Sequence, residues 1–246
     1  MTSRPPAAIA LGPGCLLASA SSGELRMLAG AFDLRREGSS WSIIAPTPYE
    51  LGVGPSWTVG GTPGFALDSA GHAHVSASGS TLRYATDASG QWAETRFSDE
   101  IGGSATDSWS ALAIDSLDDV HIVYSPRPMG SLLLTTLHGT GDRSVLRLQD
   151  DQPKRATAMP STAIDADDRL HIAYLDDGMV AYRTDQPDVP SISLAHDHSW
   201  WSAPVIALGP DGTRHIAYGA TVIPYANLPA PGLLRYVRPG SCAAPP

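Results

Sequence analysis

Four histidines stand at matching places in four similar segments of this chain. They are His74, His121, His171 and His215, spaced 47, 50 and 44 residues apart. The segments read GFALDSAGHAHVSA (64–77), ALAIDSLDDVHIVY (111–124), STAIDADDRLHIAY (161–174) and VIALGPDGTRHIAY (205–218). Four imidazoles brought to one axis would suit iron, copper or zinc. A histidine present in every good repeat has a simpler use, bonding a hydroxyl or backbone group inside its own unit. A shorter fifth copy, AIALGPGCLLAS (8–19), has Leu16 at the histidine position, which breaks any ring. The expectation is therefore structural histidines, with no metal and no other cofactor.

Other groups could do chemistry. Asp68, Asp115 and Asp165 end the first apolar run of each copy and should accept bonds from the turn amides that follow. Asp165, Asp167 and Asp168 could bind calcium, although an acidic turn is ordinarily only a turn. His196-Asp197-His198 and His72-x-His74 each place two imidazoles on one face of an extended segment, a zinc spacing without a third ligand. No GxSxG elbow, phosphate loop or dinucleotide glycine pattern is present. Carboxylate pairs for glycoside hydrolysis could be drawn from many Asp residues, at no fixed separation. His121 and Tyr124, three apart on a strand, face opposite ways and cannot pair within one blade.

The aromatic residues are the better candidates. Trp57, Trp109, Trp200 and Trp201 all fall in links that lead into a first strand. An indole face stacks on the C–H face of a sugar, while Tyr49, Glu50 and Asp107 are neighbours able to bond hydroxyls. The alternative is that these tryptophans wedge adjacent units together as core.

The elements that must position these residues follow from the repeat. A period of about 47 residues in a chain of 246 gives roughly five units, in the range of propeller blades. The units are approximately 7–62, 63–106, 107–156, 157–200 and 201–240, within a single domain of residues 1–246. In each, a first strand (65–67, 112–114, 162–164, 206–208) meets the H-I-x-Y strand across a tight turn. That turn carries Gly71, Asp118, Asp168 or Gly212, types that tolerate a left-handed backbone. The third strand is the L-R-Y run, aligned as Leu25-Arg26-Met27, Leu82-Arg83-Tyr84, Ala181-Tyr182-Arg183 and Leu234-Arg235-Tyr236. The fourth is clearest at 40–44 and 91–97. Ala10, Ala66, Ala113, Ala163 and Ala207 recur where innermost strands converge. The fold class is all-β: a single β-propeller of about five blades with four antiparallel strands each.

Two irregularities stand out. An insertion of about ten residues lies between Ile44 and Pro63, and the last unit has no clear fourth strand. A three-stranded last blade, completion by residues 1–6 and a fragment of a larger ring all remain open. Cys15 and Cys242 could staple the first unit to the last, worth about 4–5 kcal/mol for so long a loop.

Lys plus Arg number 16 against 25 Asp plus Glu, a net charge of −9. That balance argues against nucleic acid and anionic membrane as partners. No apolar run is long enough for a membrane span.

The pattern A-[IL]-D, a Gly or Asp turn, H-[IV]-x-Y, L-R-Y and G-x-W, over about residues 8–238, resembles bacterial repeats known as sialidase-like or BNR-like. The resemblance implies a propeller and leaves the activity open, since that group is mostly of unknown function. Related blades occur in sialidases, polysaccharide lyases and sugar-binding lectins. The Ser-x-Asp-x-Gly-x-x-Trp box of true sialidases is absent, and their arginine triad cannot be assigned. The expected function is a ligand-binding, lectin-like propeller for carbohydrate, secreted or at a bacterial cell surface, its leader removed. The alternatives are a glycan-cleaving hydrolase or lyase, or a scaffold that binds another protein.

Overall fold

The computed structural model describes residues 15–19, 23–29, 32–46, 63–78, 82–97, 109–125, 132–149, 159–176, 179–195, 203–220 and 233–237. These form a five-bladed β-propeller, with no helix among the described residues. Blade 1 contains β1 (Cys15–Ser19), β2 (Leu25–Ala29), β3 (Phe32–Glu37) and β4 (Ser40–Pro46). Blade 2 contains β5 (Gly64–Leu67), β6 (Ala73–Ser78), β7 (Leu82–Thr86) and β8 (Ala93–Phe97). Blade 3 has β9 (Trp109–Ile114), β10 (Val120–Ser125), β11 (Leu132–Leu137) and β12 (Arg143–Gln149). Blade 4 has β13 (Ser161–Ile164), β14 (Leu170–Asp176), β15 (Met179–Thr184) and β16 (Ile192–Ala195). Blade 5 shows three strands among the described residues: β17 (Val205–Leu208), β18 (Arg214–Ala220) and β19 (Leu233–Val237). Every blade is an antiparallel meander in chain order.

Period-two alternation on the second strand explains how blades stack. Val120, Ile122 and Tyr124 of β10 pack on Leu82, Tyr84 and Phe97 of blade 2. Val123, on the opposite face, packs with Leu170, Ile172 and Tyr174 of blade 4. Ala173 and Leu175 in turn meet Ile206, Ile216 and Tyr218 of blade 5. So the Ile and Tyr of each H-I-x-Y strand fill the seam with the preceding blade.

First strands lie side by side: β1 by β5, β5 by β9, β9 by β13 and β13 by β17. Their approach sets the small-residue rule. A Cβ on Gly64 would meet the Leu112 amide nitrogen, and would lie 2.6 Å from Leu112 Cβ and 2.7 Å from Ser76 Oγ. Beyond each first strand, a hairpin puts Gly71, Asp118, Asp168 and Gly212 at positive φ, as the aligned turn residues require. Asp118 and Asp168 use that conformation to staple blades. Asp118 accepts bonds from Ser69 N (2.8 Å) and Oγ (2.6 Å), and Asp168 from Ser116 N (2.9 Å) and Oγ (2.5 Å). Where the serine becomes Ala166, the facing position becomes Gly212, and both partners of the staple are missing together.

Blade 1 departs from its sequence alignment. Cys15–Ser19 is the first strand and not the second, because Ala18 pairs with Arg26 as Ala66 pairs with His74. Arg26, rather than Leu16, takes the histidine position, and Leu25–Ala29 is the second strand. Asp33, across from Leu28, takes the place of Tyr84, which is across from Ser76. The His–Tyr pair is thus exchanged for a buried ion pair, Arg26 being 1% exposed and Asp33 0%. Arg26 also reaches blade 2, through Nη2 to Asp87 Oδ2 (2.7 Å) and Nη1 to the Gly71 carbonyl (2.9 Å). In blade 4 the third-strand register moves by one residue: Tyr182, across from Ala173, and not Arg183, matches Tyr84. Residues 8–14, Cys242 and residues 47–62, which hold the insertion, lie outside the described residues.

Breaking a buried pair leaves an uncompensated charge, so Arg26→Met should cost about 3–5 kcal/mol. Adding Asp33→Leu should restore much of the loss. Urea denaturation of the two variants checks this; a double variant less stable than Arg26→Met would contradict it.

Candidate functional site

The propeller has two ends. At the hairpin end the four repeated histidines close networks inside their own blades. Asp165 Oδ1 accepts the amides of Asp167 (3.0 Å) and Arg169 (2.9 Å), and Oδ2 lies 2.9 Å from His171 Nε2. His171 Nδ1 lies 2.7 Å from the Tyr182 hydroxyl. Blade 2 repeats this: Asp68 takes the amides of Ala70 and His72, His74 Nε2 lies 3.3 Å away, and His74 Nδ1 lies 2.6 Å from Tyr84 Oη. In blade 3, His121 bridges Asp115 (2.9 Å) and Thr136 (3.2 Å), because Leu134 occupies the tyrosine position. In blade 5, His215 bonds Tyr236, and Gly209 replaces the aspartate.

The carboxylate fixes the tautomer. It can only accept, so Nε2 carries the proton and Nδ1 accepts from the tyrosine hydroxyl. A neutral imidazole satisfies both neighbours. Burial lowers the His74 pKa, and burial raises that of Tyr84 to about 12. Burial alone would raise the Asp68 carboxyl, but bonds from His72 and His74 hold it below its ordinary range. These histidines sit on the blade face toward the following blade; His74 and Tyr84 line a cavity of about 430 Å³ between blades 2 and 3. Among the described residues, no three His, Cys, Asp or Glu side chains group as a metal site.

At the opposite end, where chain segments lead into the first strands, a cavity of about 190 Å³ opens. Pro63, Ser110, Pro160 and Pro204, the residues just before the four matched segments, line it together with Gly64, Ala111, Ser161 and Thr162. Two of these hydroxyls also tie blades: Ser76 Oγ donates to Ser110 Oγ (3.2 Å), and Ile206 N donates to Ser161 Oγ (3.1 Å). Trp109, the first residue of β9, precedes Ser110; it is half-buried and packs against the apolar cluster that includes Met159.

Of the aromatic set named from sequence, Trp109 alone is described; it adjoins the mouth residue Ser110 in sequence, while its side chain packs against the apolar cluster of blades 4 and 5. Trp57, Trp200, Trp201, Tyr49, Glu50 and Asp107 lie outside the described residues, as does His196-Asp197-His198. The mouth serines escaped sequence reasoning. The available signal was the proline that precedes three of the four first strands, with Ser110 in the remaining one.

No protein-family model matches the chain, and no curated protein matches it. Solved structures do. A PL25 ulvan lyase bound to -[GlcA(1-4)Rha3S]- aligns with TM-score 0.61 at 13% identity, over 94% of this chain and 69% of that one. A streptogramin B lyase aligns with TM-score 0.56 at 13% identity, over 91% and 68%. Virginiamycin B lyase from Staphylococcus aureus aligns with TM-score 0.53 at 11% identity, over 90% and 68%. At these identities the likeness establishes the propeller fold. No helix among the described residues is long and apolar enough to cross a membrane.

The networks carry a pH dependence of known sign. The folded pKa values of His74 and Asp68 are both lowered, so the stability they contribute is present at neutral pH and lost as pH falls. The histidine part disappears first, from about pH 6.5 downward. His74→Gln should be less stable than wild type at about pH 7, with a flatter decline toward about pH 5. Denaturant midpoints across that range test it, and an unchanged slope would contradict it.

Proposed function

We propose that this protein is a carbohydrate-binding propeller whose ligand face is the axial mouth. One observation carries the reading: a small cavity walled by Ser110, Ser161 and Thr162 opens where the first strands begin, and Trp109 is the residue before Ser110. Hydroxyls and backbone edges bond sugar hydroxyls, and an indole supplies the apolar surface that a pyranose ring covers. Trp57, Trp200, Trp201, Tyr49, Glu50 and Asp107, outside the described residues, complete the ligand face in this reading. The ulvan lyase, bound to a saccharide on the same fold, supports it by analogy. The site of action is then outside the cell or on its surface, where polysaccharides are met.

A second reading, glycan cleavage, draws on the lyases among the structural neighbours. The mouth favours binding over cleavage, because its described lining is Pro, Gly, Ala, Leu, Val, Ser and Thr. None of these side chains titrates near neutrality, so the described wall supplies no general acid or base.

A glycan array followed by calorimetry tests the proposal. Wild type should retain at least one saccharide, and Trp109→Ala should weaken binding about tenfold or more. Reducing-sugar release or an ultraviolet-absorbing unsaturated product would contradict the binding assignment and favour the enzyme.

A further inference from the structure

The seams between consecutive blades repeat one arrangement, and their side chains show what fills it. The informative position is the residue before each repeated histidine: Ala73, Val120, Leu170 and Arg214. Each stands across from the end of its own first strand, as Val120 does from Ile114 and Arg214 from Leu208. In the seam of blades 4 and 5, the Arg214 guanidinium lies 4.9 Å from the centre of the Tyr182 ring. In the seam of blades 1 and 2 the position is Ala73, and Arg26 brings a guanidinium from the facing blade. It bonds the Gly71 carbonyl and Asp87, which also accepts the Ala73 amide. In the seam of blades 3 and 4, Leu170 packs with Leu134 and closes the space with apolar side chains.

The seam of blades 2 and 3 keeps the ring and lacks the arginine. Tyr84 corresponds to Tyr182, since each hydroxyl meets Nδ1 of its own repeated histidine. Val120 holds the Arg214 position, and Tyr84 and Val120 both line the cavity of about 430 Å³. The floor, with Tyr84, Phe97 and Val120, is buried, while Asp142 and Arg143 at the rim are exposed, so the cavity has an entrance. Its wall sets the carboxylates of Asp118 and Asp142 against the single guanidinium of Arg143, which lies over Phe97. Among the described residues, no arginine or lysine lies over Tyr84. An aromatic face attracts a cation, and the two carboxylates favour the same charge. Guanidinium is planar and weakly hydrated, so it enters such a seam at lower cost than an ammonium.

We propose that the cavity between blades 2 and 3 binds the guanidinium group of a ligand, stacked on Tyr84 as Arg214 stacks on Tyr182 and held by Asp118 and Asp142. The site lies at the hairpin end and stands independently of the carbohydrate reading of the mouth.

The test uses the full chain and two probes that differ in one group. N-acetylargininamide carries a guanidinium, and N-acetylcitrullinamide carries a neutral urea of similar shape. Binding is followed by nuclear magnetic resonance titration and folding by urea midpoint. The guanidinium probe should bind at least about tenfold more tightly than the urea probe. Asp142→Asn, a change at the exposed rim, should weaken its binding about threefold, and added salt should weaken it too. Val120→Arg supplies the chain's own guanidinium over Tyr84. It should abolish binding and leave the urea midpoint unchanged or raised. Agmatine, run beside the amide probe, separates the sources: the tighter of the two assigns the site to a free small molecule or to an arginine residue of a peptide.

Equal binding of the guanidinium and urea probes, or binding of neither, would overturn the proposal. Binding that survives Val120→Arg, or that Asp142→Asn leaves unchanged, would place the cation elsewhere and overturn the site. A lowered midpoint in Val120→Arg would show that this seam rejects a guanidinium, with the same consequence. None of these results touches the saccharide reading, which the glycan array decides.

Discussion

Each blade must bury two faces at once, and the second strand meets that demand by alternation. Its Ile and Tyr side chains seal the seam with the preceding blade, while the other face meets the following one. This seam determines much of the rest. It forces the first strands so close together that Gly64 has no space for a Cβ. It also makes His74 and His171 groups in an interior, where a charged or unpaired imidazole would be costly. The Asp–His–Tyr chain answers that cost with a neutral ring bonded at both nitrogens, anchored by a carboxylate that also caps the turn.

The two ends of the propeller consequently differ in kind. The hairpin end is tied within blades by the aspartate networks and between blades by the Ser69–Asp118 and Ser116–Asp168 staples. Its polar groups are largely occupied with one another. At the mouth, hydroxyls from neighbouring blades face a shared cavity. Repetition builds the frame, and the proposed ligand face draws on residues that break the repetition.

Much of this was legible in the sequence because it is repeated. The left-handed turn position, the aspartate cap and the intrablade use of the histidines each recur, so comparison between copies separates a joint from a site. Blade 1 was misaligned for the complementary reason. Arg26 and Asp33 fill the histidine and tyrosine positions with different chemistry, and no residue-type pattern marks them as equivalents. The run AIALGPGCLLAS resembles a first strand and hairpin, although its last five residues form the first strand. The one-residue offset at Tyr182 arose because Tyr182-Arg183 reverses the order of Arg83-Tyr84.

The most direct measurement is a crystal structure of the protein soaked with a neutral oligosaccharide that it binds. The account predicts saccharide density at the mouth, against Trp109 and the Ser110–Ser161 wall, with the four histidines still bonded inside their blades. Ligand or metal density coordinated by His74, His121, His171 or His215 would contradict it.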